Sequence, residues 1–256
     1  MKSANRYVGM VLVVLVLQGC AGAVSRGSSD EGAAPPAADT SNVTKVEDIR
    51  KGTILTGGLG GGVKLDGVFY PAPLPLPLGK WEVVYRGDYL QQFRIRSQAR
   101  VRLDLQNIDP AAQVRFIQVS VNTEIGSNMV TPLDNQCFGD FLMVNDFGSN
   151  WDAFYNRCGY ATYVSDQREP KINMKFNLET PPTINAPNAL EVRLNANRDF
   201  GRFTKWGFIL VPPPELEDAA QRKAAVARFL QDTGDQLKEF LHNRPALLPD
   251  RLKLAP

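Results

Sequence analysis

The sequence predicts a mainly β domain of the α+β class, an antiparallel β-sandwich or open barrel packed by one C-terminal amphipathic helix. Between residues 63 and 211, apolar and polar residues alternate in short segments, which is the period of half-buried strands. After three prolines at 212–214, apolar residues recur every three or four positions, which is the period of a helix. Because 43% of the 256 residues are hydrophobic, the chain can bury a substantial core.

The predicted strands follow a proline-rich segment. Residues 71–78 alternate proline with apolar residues, which favours an extended edge and excludes a helix interior. A strand is predicted over 79–85. From 93 to 105, apolar residues occupy odd positions and mostly arginines occupy even ones, which indicates one half-buried strand or two strands broken near Ser97. A turn is predicted over 146–152. Further strands are predicted over residues 114–125, 140–144, 160–164, 171–178, 190–194 and 206–211.

The last predicted element is helical. From Glu215 onward acidic residues come first and Lys and Arg later, as the helix dipole favours. Gly234 interrupts the apolar stripe, so one helix or a pair of helices both fit the pattern. The stripe is predicted to pack on the sheet. The single histidine, His242, ends the pattern and is predicted to cap the helix or to face solvent.

The N-terminus has the features of an export signal. Lys2 and Arg6 precede an uncharged apolar run over 8–17, which is too short to span a bilayer but long enough for a secretory signal. Residues 17–20, Leu-Gln-Gly-Cys, resemble the lipobox of bacterial lipoprotein precursors. The resemblance implies acylation of Cys20, with palmitate or a similar chain, and removal of residues 1–19. An ordinary secreted protein cleaved near residues 21–23 is the alternative.

The same resemblance implies a location and a domain organisation. Because residue 21 is alanine and not aspartate, it points to the outer membrane, with the body facing the periplasm. The expected order is a signal peptide at 1–19, an acylated cysteine and flexible Ala/Gly/Ser/Pro tether at 20–62, a β-rich domain at 63–211 and a C-terminal helical segment at 212–256.

Loss of the signal peptide changes the charge balance. It removes Lys2 and Arg6 and no acidic residue, which leaves 27 basic and 27 acidic residues. A mature chain without net charge lacks the electrostatic footprint of a nucleic-acid-binding protein. The predicted partners are therefore the membrane, through the anchor, and an envelope protein or glycan.

Two cysteines are left if Cys20 carries lipid. In an oxidising compartment Cys137 and Cys158 are predicted to form a structural disulfide. A metal-binding pair and a redox-active dithiol are the alternatives. Neither finds support in the sequence, which has no C-x-x-C motif and no histidine nearby.

Two groups of side chains are candidate binding residues. The aromatic group comprises Phe147, Trp151, Phe154 and Tyr155. Its rings could stack on a sugar or accept a partner peptide, or they could fill the core. The basic group comprises Arg94, Arg96, Arg100 and Arg102. It could bind an anionic polymer, or it could form a solvated strand face paired with acidic residues on neighbouring strands.

The sequence carries no recognisable catalytic or cofactor motif, since it lacks a G-x-S-x-G elbow and its one histidine follows the helical pattern. We expect a non-enzymatic binding or accessory module for an envelope protein or glycan, without cofactor or metal. The alternative is a hydrolase of envelope polysaccharide that uses two carboxylates, which need only the right separation in space. Residues 73–81 also resemble a segment of uncharacterised exported bacterial proteins, which implies no function.

Overall fold

The fold is built on an eight-stranded antiparallel sheet. A computed structural model describes residues 42–65, 70–93, 96–123, 144–150, 155–164, 188–198 and 202–254. The strands in these ranges are β1 (Asn42–Lys45), β2 (Ile54–Gly57), β3 (Gly61–Lys64), β4 (Gly79–Phe93), β5 (Arg96–Asn107), β6 (Val114–Asn122), β7 (Val144–Asn150), β8 (Tyr155–Tyr163), β9 (Leu190–Arg198) and β10 (Arg202–Leu210). The helix α1 (Ala219–Leu241) follows them. The predicted mainly β fold with a C-terminal helix is confirmed.

The order of strands in the large sheet is β2-β4-β5-β6-β10-β9-β8-β7. Each neighbouring pair is antiparallel. Within the described ranges β2 and β7 are its two edges, so the sheet is open there. The strands β1 and β3 form a separate parallel pair.

One face of the large sheet, which we call the inner face, packs against α1. Most of its residues are apolar and buried. They share this face because every second residue of a strand points to the same side of the sheet. Phe208 of β10 meets Phe229 of α1 edge to face, with ring centroids 5.4 Å apart. Near the end of α1, Phe240 stacks on Tyr70 at 5.0 Å. The predicted packing of the apolar stripe on the sheet is confirmed.

Both ends of α1 are capped. The Asp218 carboxylate accepts a hydrogen bond of 2.8 Å from the Gln221 amide at the N-terminus. At the other end His242 is the C-cap residue, and its Nδ1 lies 2.7 Å from the Lys238 carbonyl, as the sequence predicted. Arg198 and Arg202, from the β9–β10 hairpin, each donate to the Leu241 carbonyl at 2.9 Å. These bonds attach the end of the helix to the sheet.

The helix is continuous through Gly234, so the possibility of two helices is excluded. Arg157 of β8 lies over this glycine and forms an ion pair of 2.7 Å with Asp235. A Cβ atom at position 234 would lie 2.5 Å from Nη1 of Arg157. The glycine therefore provides room for a side chain of the sheet, which a sequence pattern cannot show.

The predicted tether at 20–62 extends too far. Residues 42–62 contain β1, β2 and the first half of β3, and they bury Val46, Ile49 and Leu55. These strands are short and follow no clear alternation, so they depend on pairing with other strands, β2 with β4 and β1 with β3. Residues 1–41, which include Cys20, lie outside the described ranges.

Other predicted boundaries also shift. The segment 93–105 belongs to two strands, β4 and β5, the second of the two predicted alternatives. β7 covers Val144–Asn150, so the strand predicted at 140–144 is described only at residue 144, and its other residues lie outside the described ranges. The turn predicted at 146–152 is wrong over 146–150, which belong to β7. The predicted strand at 171–178 lies outside the described ranges. In the part of the chain that the structure describes, no helix combines the length and apolar composition needed to cross a bilayer.

Candidate functional site

The face of the sheet opposite α1, which we call the outer face, is polar. The strand register aligns Asp104, Gln118, Gly207, Arg193 and Tyr160 in one row across β5, β6, β10, β9 and β8. The adjacent row comprises Arg102, Ser120, Lys205, Asn195 and Cys158. Most of these side chains are buried, which requires partners for their polar groups.

Two members of the predicted arginine group, Arg100 and Arg102, lie on this face. Arg100 is only 2% exposed, and its guanidinium lies 4.5 Å from the centre of the Phe203 ring. Arg102 donates through Nε and Nη2 to both carboxylate oxygens of Asp104, at 2.9 and 2.7 Å. Arg94 is outside the described ranges, and Arg96 begins β5. The fold therefore buries Arg100, so this residue is not on a solvated strand face, and binding of an anionic polymer by the group stays a prediction.

Two acidic residues of the outer face, Asp104 and Glu191, form ion pairs with arginines. Asp104 is fully buried and accepts from Gln118 as well as from Arg102, with a distance of 3.1 Å to Nε2 of Gln118. Glu191 forms an ion pair with Arg193, which follows it by two residues on β9. A carboxylate held in this way is poorly placed to act as nucleophile or general base, so these two residues favour a structural role.

The predicted aromatic group is only partly described. Phe147 lies in β7 opposite Cys158, and Tyr155 begins β8 opposite Asn150. Trp151 and Phe154 lie outside the described ranges. Cys158 is 1% exposed, and its predicted partner Cys137 also lies outside the described ranges, so their disulfide stays a prediction.

The side chain of Tyr85 is 38% exposed on the outer face, although it follows a buried strand segment. A register shift explains this position. Val83 pairs with Leu105 and Tyr85 pairs with Asp104, so Val84 is an extra residue that forms a β-bulge. Without the bulge, the alternation that buries Trp81 and Val83 would direct Tyr85 toward the inner face. Sequence reasoning missed Tyr85 because a bulge has no reliable signal in a single sequence.

Two neighbours hold the Tyr85 ring in place. The Arg102 guanidinium lies 5.2 Å from the ring centre, within the range of a cation–π contact. On β4 itself the phenol lies over Gly87, where an added Cβ atom would collide with the phenol oxygen. Because Asp104 and Gln118 fix Arg102 in turn, the exposed ring rests on a buried hydrogen-bonded network.

Polar side chains flank this ring. Glu82 and Gln106 are cross-strand partners, both are exposed, and both lie next to the Tyr85–Asp104 pair. We call Glu82, Tyr85, Arg102 and Gln106 the Tyr85 surface. It combines a flat apolar ring with an amide and a carboxylate, so it offers both stacking and hydrogen bonds to a ligand that carries hydroxyl groups.

A cavity of about 290 Å³ lies at one end of the sheet. Asp109 and Asp250 both line it, together with Leu78 and Trp81. The Asp109 carboxylate accepts a hydrogen bond of 2.8 Å from the Ala111 amide. Asp250 forms an ion pair of 3.5 Å with Arg251. The cavity thus has two carboxylates, each with a local partner.

Tyr160 is the most perturbed titratable group on the outer face. Burial raises its pKa to about 12, Arg193 acts in the opposite direction, and Glu191 raises it slightly further. Its phenol oxygen has no hydrogen-bond partner among the described residues. Among the described residues, no group of three or more His, Cys, Asp or Glu side chains is placed to hold a metal ion.

Comparisons with models of known families, with curated proteins and with solved structures give no match.

Proposed function

We propose that this chain is a lipid-anchored protein of the bacterial outer membrane that binds an envelope glycan or protein without catalysing a reaction. The anchor is an acylated Cys20, as the lipobox-like residues 17–20 imply. A disulfide between Cys137 and Cys158 is part of the proposal. The ligand contacts the Tyr85 surface.

The exposed Tyr85 ring is the observation that carries this proposal. A ring already held by Arg102 and Gly87 loses little conformational freedom when a ligand stacks on it, so more of the contact energy contributes to affinity. Glu82 and Gln106 beside it suit hydroxyl groups better than they suit an apolar peptide. Among the two ligand classes, the surface therefore favours a glycan.

Binding to purified peptidoglycan and to lipopolysaccharide tests the proposal. We expect Tyr85→Ala to weaken binding of the mature protein by about tenfold, because an aromatic contact contributes up to about 1.5 kcal/mol beyond its buried area. Tyr85→Phe keeps the ring and should bind like the wild type. Leu254→Ala, at an exposed position whose carbonyl accepts from Arg228 of α1, is the matched control.

Equal glycan binding by the wild type and Tyr85→Ala would contradict a role for the ring in glycan recognition. If neither glycan binds, in-cell cross-linking from position 85 followed by mass spectrometry tests the protein ligand. A single recurrent protein adduct would support a protein partner. If position 85 gives no more adduct than a control at position 254, the Tyr85 surface is rejected as a contact site.

A carboxylate-dependent hydrolase is the second candidate, because Asp109 and Asp250 line the same cavity. If this candidate is correct, the protein releases soluble fragments from the glycan and Asp109→Asn stops the release while binding persists. Absence of fragments after prolonged incubation at several pH values would reject it.

A further inference from the structure

Exposed apolar side chains are concentrated at one end of the large sheet. Among the seven large hydrophobic residues that are exposed in the described ranges, four lie at the end where β5 and β8 finish and β4 and β6 begin. They are Leu59, Leu78, Ile108 and Val164, with exposures of 74%, 53%, 47% and 38%. We call this the Leu78 end.

Three of these residues surround the start of β4. A Cβ atom added to Gly58 would lie 2.8 Å from Cδ2 of Leu78, so Leu78 lies against the turn that carries Leu59. Ile108 donates its backbone amide to the Lys80 carbonyl at 3.0 Å, which places it on the other side of β4. Exposed aliphatic residues grouped in this way indicate a contact surface.

The chain also enters the described body at the Leu78 end. Asn42, the first residue of β1, pairs with Gly61. Gly61 in turn donates to the Gly58 carbonyl at 3.1 Å, next to Leu59. Farther along the sheet the exposed residues have a different character, because they include Asp88 of β4 and Arg244 after α1.

Residues 21–41 connect Cys20 to this point. A chain of 21 residues can extend over at most roughly 70 Å. The extended length would let any side of the body reach a bilayer. The length of this segment therefore does not determine which side of the body faces the bilayer. The exposed apolar residues at the Leu78 end are what favour one orientation.

We infer that the Leu78 end faces the membrane and that Leu59, Leu78 and Ile108 contact the lipid headgroup region. The inference rests on the proposed acylation of Cys20, which keeps the body close to lipid. Lys80, exposed at the same end, can extend its ammonium group to lipid phosphates, and the exposed Asp109 limits the contact to a shallow depth.

This orientation has a consequence for the Tyr85 surface. Tyr85 follows Leu78 by seven residues, so it lies roughly 20 Å along β4 from the Leu78 end. The Tyr85 ring is then held away from the bilayer and toward the periplasm.

Photo-cross-linking in living cells tests the orientation in the full-length chain. Benzoylphenylalanine replaces Leu59 or Leu78 in two variants and the exposed Asp88 or Arg244 in two matched controls. After irradiation, mass spectrometry identifies the adducts. We expect phospholipid adducts at positions 59 and 78, at least fivefold more abundant than at 88 and 244.

Equal lipid adducts at the variant and control positions would overturn the inference. Protein adducts at 59 and 78 would also overturn it, because a protein would then cover this end. The mass of residue 20 in the same samples separates the two proposals. An acylated chain without lipid adducts at 59 and 78 overturns only the orientation, whereas an unacylated chain overturns the anchor and the orientation together.

Discussion

Tyr160 illustrates how the fold acts on a single side chain. It lies on the outer face of β8, the strand between β9 and β7, and it is 2% exposed. Burial disfavours the charged phenolate and raises the pKa of Tyr160 to about 12. Arg193 opposes this effect, but Glu191, which pairs with that arginine, acts in the same direction as burial. The side chain therefore remains neutral at any physiological pH.

We expect the free energy of unfolding to decrease above pH 10 because of this group. In the unfolded chain a tyrosine ionises near its usual pKa of about 10, so the unfolded state gains stability first. The contribution of Tyr160 is complete below that pH and is lost as the pH rises toward its folded value of about 12. By about pH 11.5 the loss amounts to about 2 kcal/mol.

Urea unfolding between pH 9 and 11.5 measures this effect. Tyr160→Phe removes the ionisable group, so its stability should fall less steeply than that of the wild type. Parallel curves for the two proteins would show that Tyr160 ionises equally easily in the folded and unfolded states.

The contact between α1 and β8 shows how an element depends on its neighbour. Gly234 lies in the middle of the helix, where alanine would normally be more favourable by about 1 kcal/mol. Arg157 occupies the space that a Cβ atom would need, and it holds Asp235 of the same helix. Close packing of the two elements thus outweighs helix propensity at this position.

We expect Gly234→Ala to destabilise the protein by about 1 kcal/mol, because the methyl group displaces Arg157 from Asp235. In an Arg157→Ala background the same substitution should stabilise it by about 0.5–1 kcal/mol, since only the propensity difference remains. Urea unfolding of the four proteins gives both values. A stabilising effect of Gly234→Ala in both backgrounds would refute this account of the glycine.

The whole molecule combines a folded body with a proposed lipid anchor. Its described body carries exposed apolar residues where the chain enters it and an exposed tyrosine farther along β4. If the lipobox resemblance holds, two or three acyl chains provide stable attachment, which a single chain does not. In the orientation proposed above, the Leu78 end lies toward the membrane and Tyr85 lies farther from it.

We expect protein purified from the membrane fraction to begin at an acylated Cys20. Cys20→Ala should lack the acyl mass and retain residues 1–19, because the resemblance implies acylation of this thiol before the signal peptide is removed. Intact-mass spectrometry reads both features, and Ser25→Ala in the tether is the control. A mature wild-type chain that begins at residues 21–23 without lipid would instead support ordinary secretion.

Sequence periodicity determined the fold class and much of the element order. In β6, β9 and β10 the core residues recur with a period of two, and in α1 the apolar stripe recurs with a period of about three and a half. A single sequence shows both patterns because they depend only on residues close together in the chain. The export signal and the lipobox resemblance are equally local.

The tertiary structure decided the features on which the candidate site depends. The bulge at Val84 turns Tyr85 outward, and pairing with β4 brings β2 into the sheet from a segment predicted to be a tether. Arg100, which strand alternation predicted to be solvated, is buried beside Phe203. Each outcome results from contacts between segments that are distant in the chain. A local pattern of residues does not show which distant segments will pair or pack, so it could not predict these outcomes.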